Sequence, residues 1–145
     1  KDERASLALT AKTVDKVVAG EQQPESDHFF REHNSNAGSF EDTRWRETKD
    51  WFSYMMKTTP ATSSIYIKFL ADSSPRITEV LINGVVAGVF QDTEPNAATK
   101  TVHFPVPQGI TEINKIELKI KTPAGSKSHK ILEIRTLLPD QKATK

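Results

Sequence analysis

The chain has 145 residues, no cysteine, and 20 basic against 19 acidic side chains, a formal charge of +1. That length is one domain with a single sizeable core, and the missing cysteine excludes disulfide scaffolds and cysteine-ligated zinc. Balanced charge without a basic block argues against a nucleic-acid partner, and no apolar run is long enough for a membrane-spanning helix, so no membrane partner is expected.

Lys1 to Lys12 is polar with scattered Ala5, Leu7 and Leu9, and reads as a frayed helix or a tether (residues 1–12) from a preceding domain. The start at Lys1, without a basic and then apolar leader, suggests a mature form or a piece of a longer protein. Thr13 to Ala19 reads as a first strand through β-branched Val14, Val17 and Val18, closed by Gly20. Glu21 to Lys49 shows no sustained period of 2 or 3.6, carries Pro24, Gly38 and the Asn34, Ser35, Asn36 cluster, and is expected to be a long functional or self-packed loop. Trp51 to Met56 and Ile65 to Ala71 alternate as strands. Ile77 to Ile82 and Val85 to Phe90 flank Asn83-Gly84, the pair that supplies both positive-φ positions of a type I′ hairpin. Lys100 to Phe104 is a short strand. Lys115 to Lys121 sets Ile116, Leu118 and Ile120 against outward Lys115, Glu117, Lys119 and Lys121, and Ile131 to Leu138 is the last strand. Short strands with turns between them and no amphipathic helix give an all-β fold, an antiparallel sandwich of jelly-roll or galactose-binding-like type over residues 13–138, with a loose tail at 139–145.

Chemistry is concentrated in the expected loop: Glu21, Glu25, Asp27, His28, His33, Glu41 and Asp42. No spacing singles out an acid and base pair, so no catalytic residue is nominated. Asp27, His28 and His33 lack the i, i+4 helical spacing of a zincin site. Hard oxygen ligands could hold a structural calcium, with Asp27 and Asn34 foremost and Glu25 and Asn36 beside them. Phosphate-cradling glycine loops and the Gly-x-Ser-x-Gly elbow are absent. Trp51, Phe52 and Tyr54 are expected in the core, whereas Trp45, between Arg44 and Arg46, suits a rim where a sugar ring could stack. Arg46 could instead pair with Glu25 or Asp27 and hold the loop against the sheet. The candidate ligand-binding set is Glu25, Asp27, His28, Asn36, Trp45 and Arg46.

The run from Gly20 to His28 (GEQQPESDH), then Asn34 to Gly38, Trp45-Arg46 and Trp51 to Tyr54 (WFSY), resembles a domain of unknown function at the C-terminal end of bacterial glycoside hydrolases of the β-L-arabinofuranosidase type, families 127 and 146. The resemblance covers about the first third of the chain. It implies an accessory β-domain beside an (α/α)₆ catalytic barrel whose nucleophilic cysteine and zinc ligands lie in the barrel, and therefore no hydrolase activity in this cysteine-free chain. It also implies a periplasmic or extracellular bacterial setting. Phe29-Phe30 and Ser39 to Asp42 depart from the resemblance and are expected to be variable loop.

Three functions follow. The first is a non-catalytic accessory domain that packs on the barrel, assists binding of an arabinose-containing or other plant glycan, or both. The alternatives are an independent carbohydrate-binding module and, least favoured, a stand-alone hydrolase. A structural role for the signature requires its polar groups to be buried and mutually satisfied, while a binding role requires an exposed aromatic beside free polar groups.

Overall fold

Alternation governs the middle of the chain. In Lys115 to Lys121 every second residue, Ile116, Leu118 and Ile120, is fully buried, while the charged residues between them reach solvent. The computed structural model describes residues 2–107 and 114–139, so the expected tail from residue 140 lies outside the described residues. The elements are α1 (Asp2–Lys12), β1 (Thr13–Val18), α2 (Gln22–Asp27), β2 (Arg31–Phe40), β3 (Thr43–Lys57), β4 (Ser64–Ala71), β5 (Thr78–Ile82), β6 (Val85–Phe90), β7 (Ala98–Pro105), β8 (Lys115–Lys121) and β9 (Lys130–Leu137).

Every strand pairing is antiparallel, and the strands form two leaves, β6-β5-β8-β3-β2 and β7-β4-β9-β1. The leaves join where Arg46 of β3 stands opposite Ile131 of β9. On the other side β6 and β7 approach through the stacked rings of Phe90 and Phe104, 6.2 Å apart, over Gly88, where a Cβ would overlap the Phe104 ring. The result is a nearly closed sandwich of jelly-roll character, as the strand pattern predicts. Phe52, Tyr54 and Met56 of β3 and the β8 isoleucines and leucine pack against Ile65, Ile67, Phe69, Ile131 and Ile134 of the second leaf. Each contributes roughly 1.5–3 kcal/mol of transfer free energy.

Two expectations change, and at the start of the chain the helical alternative is the one observed. Residues 2–12 are helical, and the helix end is tied to the last strand's exit by Leu138 N–H donating to the Lys12 carbonyl at 2.8 Å. The expected loop from Glu21 to Lys49 is instead α2 followed by a long hairpin, with Phe40 opposite Thr43 across the two-residue turn Glu41-Asp42. It escapes pattern reading because β2 is an edge strand, mostly exposed on both faces, and Glu41, not glycine, takes the positive φ of 57°. Finally, Trp51 is not core: it alternates with buried Phe52 onto the outer face of the first leaf, where Lys119 Nζ lies 4.7 Å over its ring.

Candidate functional site

The signature run folds into one turn of helix and its exit. Pro24 sits in the first turn of α2, where a missing N–H costs little. At the other end Phe30 N–H donates to the Glu25 carbonyl (3.0 Å) and Phe29 N–H to the Ser26 carbonyl (3.2 Å). This is a Schellman arrangement with Phe29, at φ 55°, in the left-handed position that glycine usually fills.

That turn points Glu25 inward, where it is 4% exposed. Its Oε2 accepts from Gly20 N–H (2.9 Å), Arg46 Nε (2.7 Å) and the Tyr54 hydroxyl, and its Oε1 accepts from Arg46 Nη2 (2.9 Å). A carboxylate offers about four lone-pair sites; Oε2 is fully engaged by its three donors, and Oε1 keeps one lone pair beside the Arg46 contact. Burial pushes the Glu25 carboxyl up, but these hydrogen bonds outweigh it and hold the group ionised, below its ordinary range. Burial and the adjacent negative charge drive the Tyr54 phenol well above its usual value, so it stays a donor. Arg46 completes the arrangement by donating from Nη1 to Ser35 Oγ (2.8 Å) and stacking 4.2 Å over the Phe30 ring.

His28 ends α2 with both ring nitrogens on acceptors: Nδ1 donates to the Pro24 carbonyl (2.7 Å) and Nε2 to Asp15 Oδ1 (2.9 Å). Two acceptors require two N–H groups, so the ring is an imidazolium. The Asp15 hydrogen bond raises its pKa against the opposing effect of burial. Asp15 also receives the Lys57 N–H (2.8 Å) and thereby ties α2 to β1 and to the end of β3.

The glycines and tryptophan of the signature are matched in the same way. Gly20, at φ 84°, crosses the β3 backbone so closely that a Cβ would stand 2.5 Å from the Trp45 carbonyl oxygen. Its own carbonyl accepts from Arg44 Nε (3.0 Å). Trp45 covers Gly38, its cross-strand partner, is half-buried, and carries Lys130 Nζ 4.7 Å over its ring.

The structure thus brings Glu25, His28, Trp45 and Arg46 into one packed assembly, with Glu25 and Arg46 in direct contact. Asp27 lies exposed on α2 and accepts from Gln23 Nε2 (2.9 Å), and Asn36 lies exposed on β2 with its Nδ2 3.5 Å from Glu47. Asn34 occupies a bulge in β2 at φ 57°, its carbonyl accepting from Thr48 Oγ1 (3.1 Å). No hydrogen bond or ion pair joins Asp27 to Asn34, and among the described residues no three His, Asp or Glu side chains cluster to hold a metal ion. With Glu25 held by Arg46, Tyr54 and Gly20 as well, the expected calcium ligands do not form a side-chain cage.

Sequence reading missed Asp15, Tyr54 as a hydrogen-bond donor, and Phe29. Asp15 meets the signature only through tertiary contacts, and the Tyr54 hydroxyl reaches Glu25 across 29 residues of sequence. Phe29 is 66% exposed and forms a wall of an open cleft of about 470 Å³ between α2 and the β2–β3 hairpin, with Gln22, Ser26, Arg44 and Arg46 around it. Glu25 is the one acidic side chain lining that cleft among the described residues, so it offers no acid and base pair for hydrolysis.

No curated protein sequence matches the chain. Among solved structures it resembles the Carbohydrate-Binding Module CBM36 in complex with calcium and xylotriose, with 16% identity, a TM-score of 0.57 and coverage of 83% of this chain and 98% of that one. It resembles the family 35 carbohydrate binding module from Clostridium thermocellum at 10% identity and TM-score 0.62, over 86% and 99% of the two chains. A third likeness is the module CBM6cm-2 from Cellvibrio mixtus lichenase 5A in complex with cellotriose, at 16% identity and TM-score 0.57, over 88% and 98%. These likenesses establish a shared fold. In sequence, residues 8–137 match one family, and the chain belongs to it: the Family of unknown function (DUF6805).

Proposed function

We propose that this is a non-catalytic carbohydrate-binding domain, accessory to a glycoside hydrolase of exported bacterial type, and that its ligand lies in the cleft beside α2. The observation that carries the reading is Phe29, an aromatic ring two-thirds exposed beside the exposed polar side chains of Gln22, Ser26 and Arg44. A sugar ring needs that combination, an aromatic face for its C–H surface and side chains for its hydroxyls. Glu25 and Arg46 line the cleft, His28 anchors the end of α2 through Asp15, Trp45 braces the hairpin behind it, and Asp27 and Asn36 are exposed polar groups of the flanking α2 and β2. The xylotriose and cellotriose bound by two structural relatives, one of them a module of a lichenase, support the class of ligand and the accessory setting. A bound calcium ion in this chain would have to be held largely by loop carbonyls. A melting temperature that falls in EDTA and returns with calcium would reveal one.

Packing on an (α/α)₆ barrel is a second role within the same reading. Val85, Val86 and Val89 favour it, since the edge strand β6 exposes all three by about half or more, 62%, 57% and 49%. Calorimetric titration of the chain with xylotriose, cellotriose and arabinose-containing oligosaccharides tests the binding role. The expected result is an affinity in the millimolar to micromolar range, weakened about tenfold or more in Phe29→Ala. Absence of heat with every oligosaccharide would overturn it.

A further inference from the structure

Phe29 is shared by two clefts. Across its ring from the cleft beside α2, a second one of about 300 Å³ opens on the outer face of the first leaf, lined by Phe29, Arg31, Ser53, Met55, Lys115 and Glu117. Register explains the assembly: Arg31 of β2 stands opposite Ser53 of β3, and Met55 of β3 opposite Glu117 of β8, so three neighbouring strands present side chains to one patch. Arg31 and Lys115 are both exposed, and neither forms an ion pair among the described residues. Lys115 Nζ lies 5.9 Å over the Phe29 ring, and a lysine over an aromatic ring recurs four residues along β8, with Lys119 Nζ over Trp51. Ser53, 3% exposed, also lines the cleft. Among the described residues, Arg31 and Lys115 of the cleft and Lys119 beside it set three cations against the carboxylate of Glu117, in a chain whose total charge is only +1. Three other arginines are paired: Arg46 with Glu25, Arg76 with Asp72 and Glu47, Arg135 with Glu133.

We infer that this second cleft takes the carboxylate-bearing unit of an acidic glycan, a uronic acid. The proposal rests on the carbohydrate-binding reading above and adds the charge of the ligand. The sugar's apolar face meets Phe29 and Met55. Its carboxylate meets Arg31 and Lys115, planar and point donors respectively, and its hydroxyls meet Ser53 and Glu117. A neighbouring unit of the same chain passes the Phe29 edge into the first cleft. An anionic aromatic polymer such as single-stranded nucleic acid would also satisfy cations and rings. It is disfavoured by the low total charge and by the lack of the basic block that a phosphate backbone calls for.

The test is a titration with a trigalacturonide, its methyl ester and single-stranded oligonucleotide, at low and high salt, on the wild type, on Arg31→Gln/Lys115→Gln and on Phe29→Ala. The expected result is binding of the free acid about tenfold tighter than the ester, as a charge-assisted contact implies. That preference should vanish in the double variant while ester binding is retained. Phe29→Ala should weaken acid and ester alike. Equal affinity for acid and ester overturns this inference and leaves the binding reading intact. Oligonucleotide bound as tightly as the trigalacturonide overturns it as well, by showing an unspecific anion surface. No binding of either sugar by the wild type, with neutral oligosaccharides also silent, overturns both readings.

Discussion

The guanidinium of Arg46 grips the carboxylate of Glu25 through two hydrogen bonds, 2.7 Å from Nε and 2.9 Å from Nη2, across a gap of 21 residues in sequence. Both side chains are largely withdrawn from water, at 13% and 5% exposure. An ion pair in that position has given up hydration at both ends, so the pair as a whole contributes less than the cost of breaking it from one side. The consequence is conformational: α2, the Phe29 turn and the hairpin hold one arrangement.

Glu25→Gln is expected to destabilise the chain by about 3 kcal/mol, because it leaves the Arg46 charge buried without its counter-ion. Tyr54→Phe, which removes one donor and leaves Oε2 with two others, is expected to cost about 1 kcal/mol. Replacing both members, Glu25→Leu with Arg46→Met, should recover much of the loss. Urea unfolding of the four proteins checks this. A double variant no more stable than Glu25→Gln would show that the pair does not act as a unit.

The contrast between β8 and β2 shows what a single sequence discloses here. β8 has one face on the core and one in water, so its alternation of Ile116, Leu118 and Ile120 with charged residues names its type and its inward face. The β5–β6 hairpin is equally legible because Asn83 and Gly84 take positive φ values of 50° and 85°, as their chemistry allows. β2 contains only Ala37 and Phe40 as apolar residues, pairs on one side only, and carries a bulge at Asn34, so nothing local marks it as a strand. The Glu25–Arg46 contact follows from residue chemistry, since a buried carboxylate wants a planar bidentate partner. Phe29 could not be found in the same way. Its significance depends on a left-handed φ and on two clefts made by strands remote in sequence.

Two histidines give stability opposite dependences on pH. The His28 pKa is raised by Asp15 above its ordinary 6.5, so its contribution is fully present below pH 6.5 and is lost as pH rises through the folded value. The His129 pKa is lowered, chiefly by burial. Its ring sits between Thr78 Oγ1 (2.7 Å) on Nδ1 and the Asp92 carbonyl (2.8 Å) on Nε2, stacked on Phe90. The folded chain therefore resists protonating it, and stability falls as pH drops below 6.5 toward the folded value. His28→Gln should remove the decline on the alkaline side of pH 6.5, and His129→Gln should flatten the acid side between 6.5 and the folded value. Asp15, held below its ordinary range, adds a further loss only at lower pH. Melting temperatures of the wild type and both variants across pH 4 to 9 check the signs, and a slope unchanged in either variant would remove that histidine from the account.

Phe29 offers the sharpest separation of stability from function. A bulky side chain at φ 55° bears a left-handed cost of roughly 1–2 kcal/mol, and at 66% exposure the ring recovers little of it by burial. The other residues of the Schellman turn close their hydrogen bonds through backbone atoms alone, so they do not require phenylalanine. Phe29→Gly is therefore expected to raise stability by about 1 kcal/mol while weakening oligosaccharide binding about tenfold or more, the opposite signs that mark a residue kept for binding at the expense of the fold. Denaturant unfolding and calorimetric titration on the same preparation measure both. A variant that loses stability and retains binding would make Phe29 a packing residue and move the proposed ligand contact elsewhere.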